Sequence, residues 1–181
     1  MTLLLIIIIQ LILFLILFVL MLYFLSMMIS DFFGVPFVPT RQRSLKEIFA
    51  KVKVKKEDLF FDLGCGDGRL PFFMAQEYGV RAIGVELNPL LNWYAKLKAK
   101  VTKNKLVQFR RENIFDTNLK KANIIYLFLF PEVVEKLKEK FLKECATGTL
   151  IVSHGFKVKY LEKQKFAELP GKPFTTYYYR I

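Results

Sequence analysis

Leu59-Phe60-Phe61-Asp62-Leu63-Gly64-Cys65-Gly66-Asp67-Gly68-Arg69 is the stretch that decides how this chain is read. The run up to Asp62 is apolar and uncharged, which fits a buried parallel strand. Glycines at alternate positions, Gly64, Gly66 and Gly68, then make a turn that ordinary side chains would block. Such a loop lets backbone come close to a bound group and aims amides, with the start of the next helix, at it. Two phosphate motifs are excluded. A dinucleotide loop, G-x-G-x-x-G, needs a third glycine where Arg69 stands, and a P-loop needs Gly-Lys-Ser/Thr where the chain has Arg69-Leu70-Pro71.

Downstream, residues 70–78 read as a helix, with Pro71 tolerated in its first turn and Gly79 ending it. Residues 80–86 form a second apolar strand ending in the carboxylate of Glu86, and Asn88-Pro89 opens a helix from Leu90 to about Lys103. This is a β-α-β unit, so its strands run parallel and its ligand crevice lies at their carboxyl ends. Glu86 falls about twenty-two residues beyond Gly64, where a Rossmann-type unit places the acid that accepts hydrogen bonds from a ribose. Its two oxygens can take both the 2′- and 3′-hydroxyls.

Further strands are expected at 105–110, 123–130 and 149–153, with a charged helix over 132–143. Two strand-like patches, 156–160 and 175–180, flank a Pro170-Gly171 turn. Upstream, Leu45, Ile48, Phe49 and Val52 lie at helical spacing behind a Ser44/Glu47 capping box, the pattern of a short helix packed on the sheet. The expected architecture is α/β, a Rossmann-like mostly parallel sheet covered on both faces, with an antiparallel strand at the end.

Between Leu3 and Ile29 the only polar side chains are Gln10, Tyr23 and Ser26. Such a helix reaches about 40 Å, against about 30 Å of bilayer hydrocarbon. No Lys or Arg precedes it and Ser26-Met27-Met28 is a poor cleavage site, so it reads as a retained anchor rather than a signal peptide. The chain then divides into an anchor (1–30), a proline-containing linker (31–43) and one domain (44–181). All basic residues follow the anchor, which expects the N-terminus outside and the domain on the cytoplasmic or organellar matrix side. The net charge of +12 falls wholly on the residues after the anchor. That excess suits a solvated surface, an anionic membrane or nucleic acid. Cys65 and Cys145 lie far apart in the chain and supply neither a disulfide framework nor a metal-ligand cluster.

With Asp62-x-Gly64-x-Gly66-x-Gly68 after one strand and Glu86 ending the next, the chain resembles the class I S-adenosylmethionine-dependent methyltransferases. That resemblance implies S-adenosyl-L-methionine as cofactor, wrapped by Gly64, Cys65, Gly66 and Gly68. Asp62 would hold its ammonium, Glu86 and the adjoining Leu87 its ribose, and Asn113 with the Ile114 amide its adenine edge. Many members of the class carry Asp where this chain has Asn113.

A narrower likeness rests on the apolar anchor, Pro36-Phe37-Val38-Pro39-Thr40, Gly84-Val85-Glu86-Leu87-Asn88-Pro89 and Trp93-Tyr94. These features are similar to the small membrane-anchored protein-lysine methyltransferases that modify the ATP synthase c-subunit and the adenine nucleotide translocase. They imply a protein substrate at a membrane and place Pro39 and Thr40 at the cofactor. Methyl transfer needs alignment and exclusion of water rather than a nucleophile, which suits a chain with one histidine and no triad. The acceptor pocket's lip is expected at Phe128-Leu129-Phe130-Pro131-Glu132, with Phe130, Pro131 and Glu132 as the candidate catalytic positions. His154 is read as a strand-end residue, not a base. Two alternatives stand beside this reading: a methyltransferase acting on nucleic acid, lipid or a small molecule, and a non-catalytic basic protein docked on anionic lipid or nucleic acid. Base amino-methylation is disfavoured, because Leu129-Phe130-Pro131-Glu132 replaces the Asn/Asp-Pro-Pro-Tyr/Phe motif of such enzymes.

Overall fold

The computed structural model describes residues 2–32 and 42–181. Helices α1 (Thr2–Phe32) and α2 (Gln42–Ala50) precede an alternation of strand and helix: β1 (Leu59–Leu63), α3 (Arg69–Tyr78), β2 (Arg81–Val85), α4 (Pro89–Val101), β3 (Val107–Arg110) and β4 (Ile124–Leu127). Then come α5 (Pro131–Lys136), α6 (Lys138–Glu144), β5 (Leu150–His154), a 3-10 helix (Lys159–Gln164), β6 (Lys165–Leu169) and β7 (Thr176–Arg180). The strands form one sheet in the order β3-β2-β1-β4-β5-β7-β6. β1 to β5 are parallel, while β7 runs antiparallel between β5 and β6. The order reverses between β1 and β4, the switch point where an open α/β sheet leaves a crevice at its carboxyl ends.

Strand periodicity sorts the core into two layers. Phe60, Ala82, Phe109, Ile124, Tyr126, Val152 and Tyr178 pack on one face with α2 and α3. Phe61, Leu63, Ile83, Val85, Ile125, Leu127, Ile151 and Tyr179 pack on the other with α5 and α6. Asp62 shares its face with Phe60, so a carboxylate replaces an apolar side chain at the crevice end of the first layer. Helix α2 covers that layer: Leu45, Ile48 and Phe49 are buried, and Tyr178 donates its hydroxyl to the Ile48 carbonyl at 2.8 Å.

The structure departs from expectation in four places. Ser44 lies inside α2 rather than capping it, since the helix begins by Gln42. The helix after Pro131 is two pieces broken at the buried Leu137. The fourth strand stops at Leu127, three residues short of the apolar run's end. The patch at 156–160 is no strand. Val158 is buried and gives its amide to the Tyr179 hydroxyl at 2.9 Å, and the chain turns into the 3-10 helix. The strand that borders β7 is instead β6, a half-exposed edge whose Lys165 and Glu168 disguise it.

Candidate functional site

Gly64, Gly66 and Gly68 all take positive φ, at 81°, 56° and 77°, and so fold the loop back over the end of β2. The amides of Gly64 and Cys65 both donate to the Val85 carbonyl, at 2.9 and 3.0 Å. Gly66 donates to Glu86 Oε2 at 2.9 Å, and Gly68 to the Cys65 carbonyl at 3.0 Å. These amides are therefore spent within the protein. The glycines provide shape and close approach rather than the row of outward-aimed amides expected from the motif.

Glu86 ties the loop to α4. Its Oε1 accepts the Asn88 amide at 2.8 Å, and Asn88 in turn caps α4 by accepting the Leu90 and Leu91 amides. Burial raises the Glu86 carboxyl above its ordinary range, against the pull of the Asn88, Gly66 and Leu87 amides. Asp62, only 4% exposed, is raised well above its ordinary range by burial, then by Glu86 and by Asp67. Three carboxylates thus gather at the glycine loop of a strongly basic chain. Asp67 is held in an ion pair with Arg69 at 2.7 Å, leaving Asp62 and Glu86 as the pair whose charge a cationic ligand would relieve. Burial also pushes the Cys65 thiol up, so it is a packing group and not a nucleophile.

Asn113 and Ile114 follow β3, whose Arg110 carbonyl accepts the Glu86 amide at 3.1 Å. Asn113 Oδ1 already accepts the Phe115 amide at 3.1 Å, and its carbonyl receives the Thr117 hydroxyl at 3.1 Å. This folds the 113–117 turn and leaves the oxygen one remaining lone pair for a ligand. Pro39 and Thr40 lie outside the described residues.

Across the switch point, Leu63 pairs with Leu127 as the last pair of the two strands, so the glycine loop and the segment starting at Phe128 leave the sheet from the same level. Of the expected lip, Leu129 is buried, Phe130 is exposed against Phe156 with ring centres 5.9 Å apart, Pro131 opens α5 and Glu132 sits exposed in its first turn. Three aromatics not foreseen as a group meet behind it: Phe128 lies 4.7 Å from the His154 ring and 5.0 Å from Phe174. His154 Nδ1 is 2.8 Å from Thr176 Oγ1, and burial pulls its pKa down to about 4. It is a buried strand-end residue, as expected, and neutral near pH 7. The sequence reading also missed Asn92, which is buried on the face of α4 that carries Ala95. Its Nδ2 is, among the described residues, the one buried side-chain polar atom without a hydrogen-bond partner. An amide on the apolar face of a helix was the available signal.

A doubly wound sheet of this order, with carboxylates under a glycine loop at its switch point, defines the S-adenosylmethionine-dependent methyltransferase class inferred from the motif. Residues 62–165 match the ANTKMT methyltransferase domain, and the chain belongs to that family. It is 34% identical over 129 residues, 69% of its length and 79% of the relative's, to a protein-lysine N-methyltransferase of Saccharolobus islandicus (strain REY15A). It is 31% identical to the adenine nucleotide translocase lysine N-methyltransferase of Mus musculus, over 67% of this chain but only 53% of that protein. Among solved structures, an RNA methyltransferase from Salinibacter ruber in complex with S-adenosyl-L-homocysteine superposes with a TM-score of 0.74. That match has 30% identity and covers 80% of this chain and 94% of the other.

Proposed function

We propose that this chain transfers a methyl group from S-adenosyl-L-methionine to the ε-amine of a lysine in a membrane or membrane-associated protein, with α1 as its anchor. The observation that carries the reading is the pair of buried Asp62 and half-buried Glu86 under a positive-φ glycine loop, in a chain similar to protein-lysine methyltransferases. S-Adenosyl-L-methionine supplies a methyl group on a positively charged sulfur, and its transfer to an amine needs no side-chain nucleophile. Asp62 neutralises the amino-acid ammonium, Glu86 accepts from the ribose with its remaining lone pairs, and Gly64 to Gly68 together with Leu87 close over the ligand. Asn113 and Ile114 border the adenine. Phe128, Phe130 and Pro131 form an apolar rim that strips water from the incoming amine. Desolvation beside a like charge favours the neutral amine. Glu132, in the first turn of α5, attracts the lysine ammonium to that rim.

Among the described residues, one helix is long and apolar enough to cross a membrane, with a span of 23 residues from Leu3 to Leu25. In this reading its N-terminus lies outside and the domain on the cytoplasmic or matrix side. Incubating the full chain with labelled cofactor and membranes, then mapping the labelled residue, tests the proposal. Label on a lysine of a membrane protein is the expected result. Label confined to RNA would instead support a second reading, favoured by the likeness to the Salinibacter ruber RNA methyltransferase.

The paired carboxylates predict a pH signature. Asp62 and Glu86 titrate above their unfolded values near ~4, so the ligand-free fold binds protons that the unfolded chain has released. Their contribution to stability is complete below about pH 4 and is lost as pH rises through their folded values. Asp62→Asn should therefore melt at a higher temperature than the wild type at pH 8, with the gap shrinking towards pH 4. The same variant should bind the cofactor more weakly and show a shallower rise of affinity with pH, the remainder coming from Glu86. Melting curves and titration calorimetry from pH 5 to about 8 check both arms.

A further inference from the structure

Helix α4 exposes an apolar stripe that the methyl-transfer site does not use. Leu90, Trp93, Tyr94, Leu97 and Val101 are all open to solvent, with Trp93 at 63% and Val101 at 72%. They recur at i, i+3, i+4, i+7 and i+11, so they share about 100° of the helix circumference. The opposite side, Asn92 and Ala95, is buried on the sheet. The lysines Lys96, Lys98 and Lys100 flank the stripe, Lys103 and Lys105 follow it, and residues 89–105 contain no acidic side chain. Helix α1 touches α4, yet leaves its own large apolar side chains from Leu3 to Leu25 at least 43% exposed, so it does not cover the stripe.

We propose that this face of α4 docks in the headgroup region of an anionic bilayer, as a second membrane contact beside the anchor. Three observations favour a lipid surface over another occupant. Trp and Tyr stand side by side at the middle of the stripe, the residue types whose amphipathic rings settle at the membrane interface. The flanking charge is uniformly positive, which complements anionic lipid. The stripe also adjoins the one described helix able to span a membrane. The consequence for function follows from topology. α4 is capped by Asn88, two residues beyond Glu86, and runs back along the sheet for about 20 Å. With its stripe lying in the interface, the strands run along the membrane plane and the crevice opens sideways at headgroup level. The site then selects lysines near the bilayer surface and cannot reach those far above it. This inference takes α1 as an anchor and does not depend on which protein is methylated.

Trp93 is the sole tryptophan of the chain, so it reports on the stripe directly. The full chain is reconstituted into vesicles of phosphatidylcholine with and without phosphatidylglycerol, carrying spin-labelled lipid with the label either near the headgroup or near the acyl end. Headgroup-proximal label should quench Trp93 several-fold more than deep label, more strongly with phosphatidylglycerol, and less at high salt. Leu97→Glu with Val101→Glu should abolish the quenching while the chain still floats with the vesicles and still binds cofactor. Floating protein whose Trp93 is unquenched overturns the docking face. A blue shift that grows with protein-to-lipid ratio but is insensitive to labelled lipid assigns the stripe to a second copy and overturns it equally. Failure to float at all removes the anchor reading instead, which separates the two claims.

Discussion

Glu86→Ala should weaken S-adenosyl-L-methionine binding by at least about a hundred-fold. Hydrogen bonds to a charged acceptor contribute about 1.5–3 kcal/mol each, so two ribose hydroxyls lost together exceed the roughly 2.7 kcal/mol that a hundred-fold represents. The alanine also unties Gly66 and Asn88, whose amides the carboxylate now accepts at 2.9 and 2.8 Å, so the loop and the α4 cap lose their common anchor. Glu86→Gln separates these effects. Its single oxygen can keep one of the two amides, while its NH2 group faces the other donor, and the negative charge is gone. A loss of about ten-fold, between wild type and alanine, is expected. Because burial already raises the Glu86 carboxyl, removing its charge offsets part of the lost amide contact, so the ligand-free glutamine variant should melt closer to wild type at pH 8 than the alanine variant does. Titration calorimetry with both variants decides the matter: affinity within about three-fold of wild type for alanine would remove Glu86 from the site.

The parts of the site that were legible in the sequence are those set by local geometry. Gly64, Gly66 and Gly68 announced a positive-φ turn because few other residues tolerate one, and the Glu86 carboxylate stood where the β-α-β spacing places it. What the amides of that loop do was not legible. It depends on the register of β1 on β2, which presents the Val85 carbonyl to Gly64 and Cys65. The aromatic group behind the rim was hidden for a similar reason. Phe174 reaches Phe128 and His154 because β7 inserts antiparallel beside β5, pairing His154 with Thr176 across a long loop. Neither spacing nor periodicity encodes that approach. The apolar alternation of Phe156, Val158 and Tyr160 imitated a strand because two of them turn toward the core without one: Val158 is buried just ahead of the 3-10 helix, and the half-buried Tyr160 reaches the Val134 carbonyl from within it. The stripe on α4 was half legible. Trp93 and Tyr94 stood out as residues, but only the fold shows that the side facing solvent is the apolar one.

Gly68→Ala should remove cofactor binding and destabilise the domain by about 2–4 kcal/mol. Two costs combine. A side chain at φ 77° sits in the left-handed region, at about 1 kcal/mol or more. Its Cβ would also stand 2.5 Å from the Phe109 ring, which cannot swing aside because it is buried and packed on Phe72 with ring centres 5.5 Å apart. Phe109 fills the space left by a second glycine as well: a Cβ on Gly84 would meet the same ring at 2.7 Å and Cys65 Sγ at 2.6 Å. The ring therefore wedges the loop against β2, and both glycines are needed so that it fits. Shrinking the ring tests this. In the Gly68→Ala background, Phe109→Leu should recover part of the stability lost to Gly68→Ala, whereas Phe109→Leu alone destabilises the wild type, a coupling of at least about 1 kcal/mol in a double-mutant cycle. The residual deficit is the backbone term, which no change at Phe109 can relieve. In the Gly84→Ala background the backbone is not at positive φ, so the residual deficit should trace to Cys65 and yield to Cys65→Ala. Urea denaturation of these single and combined variants gives the couplings. Strict additivity between Gly68→Ala and Phe109→Leu would show that the loop yields elsewhere and that Phe109 is not its wedge.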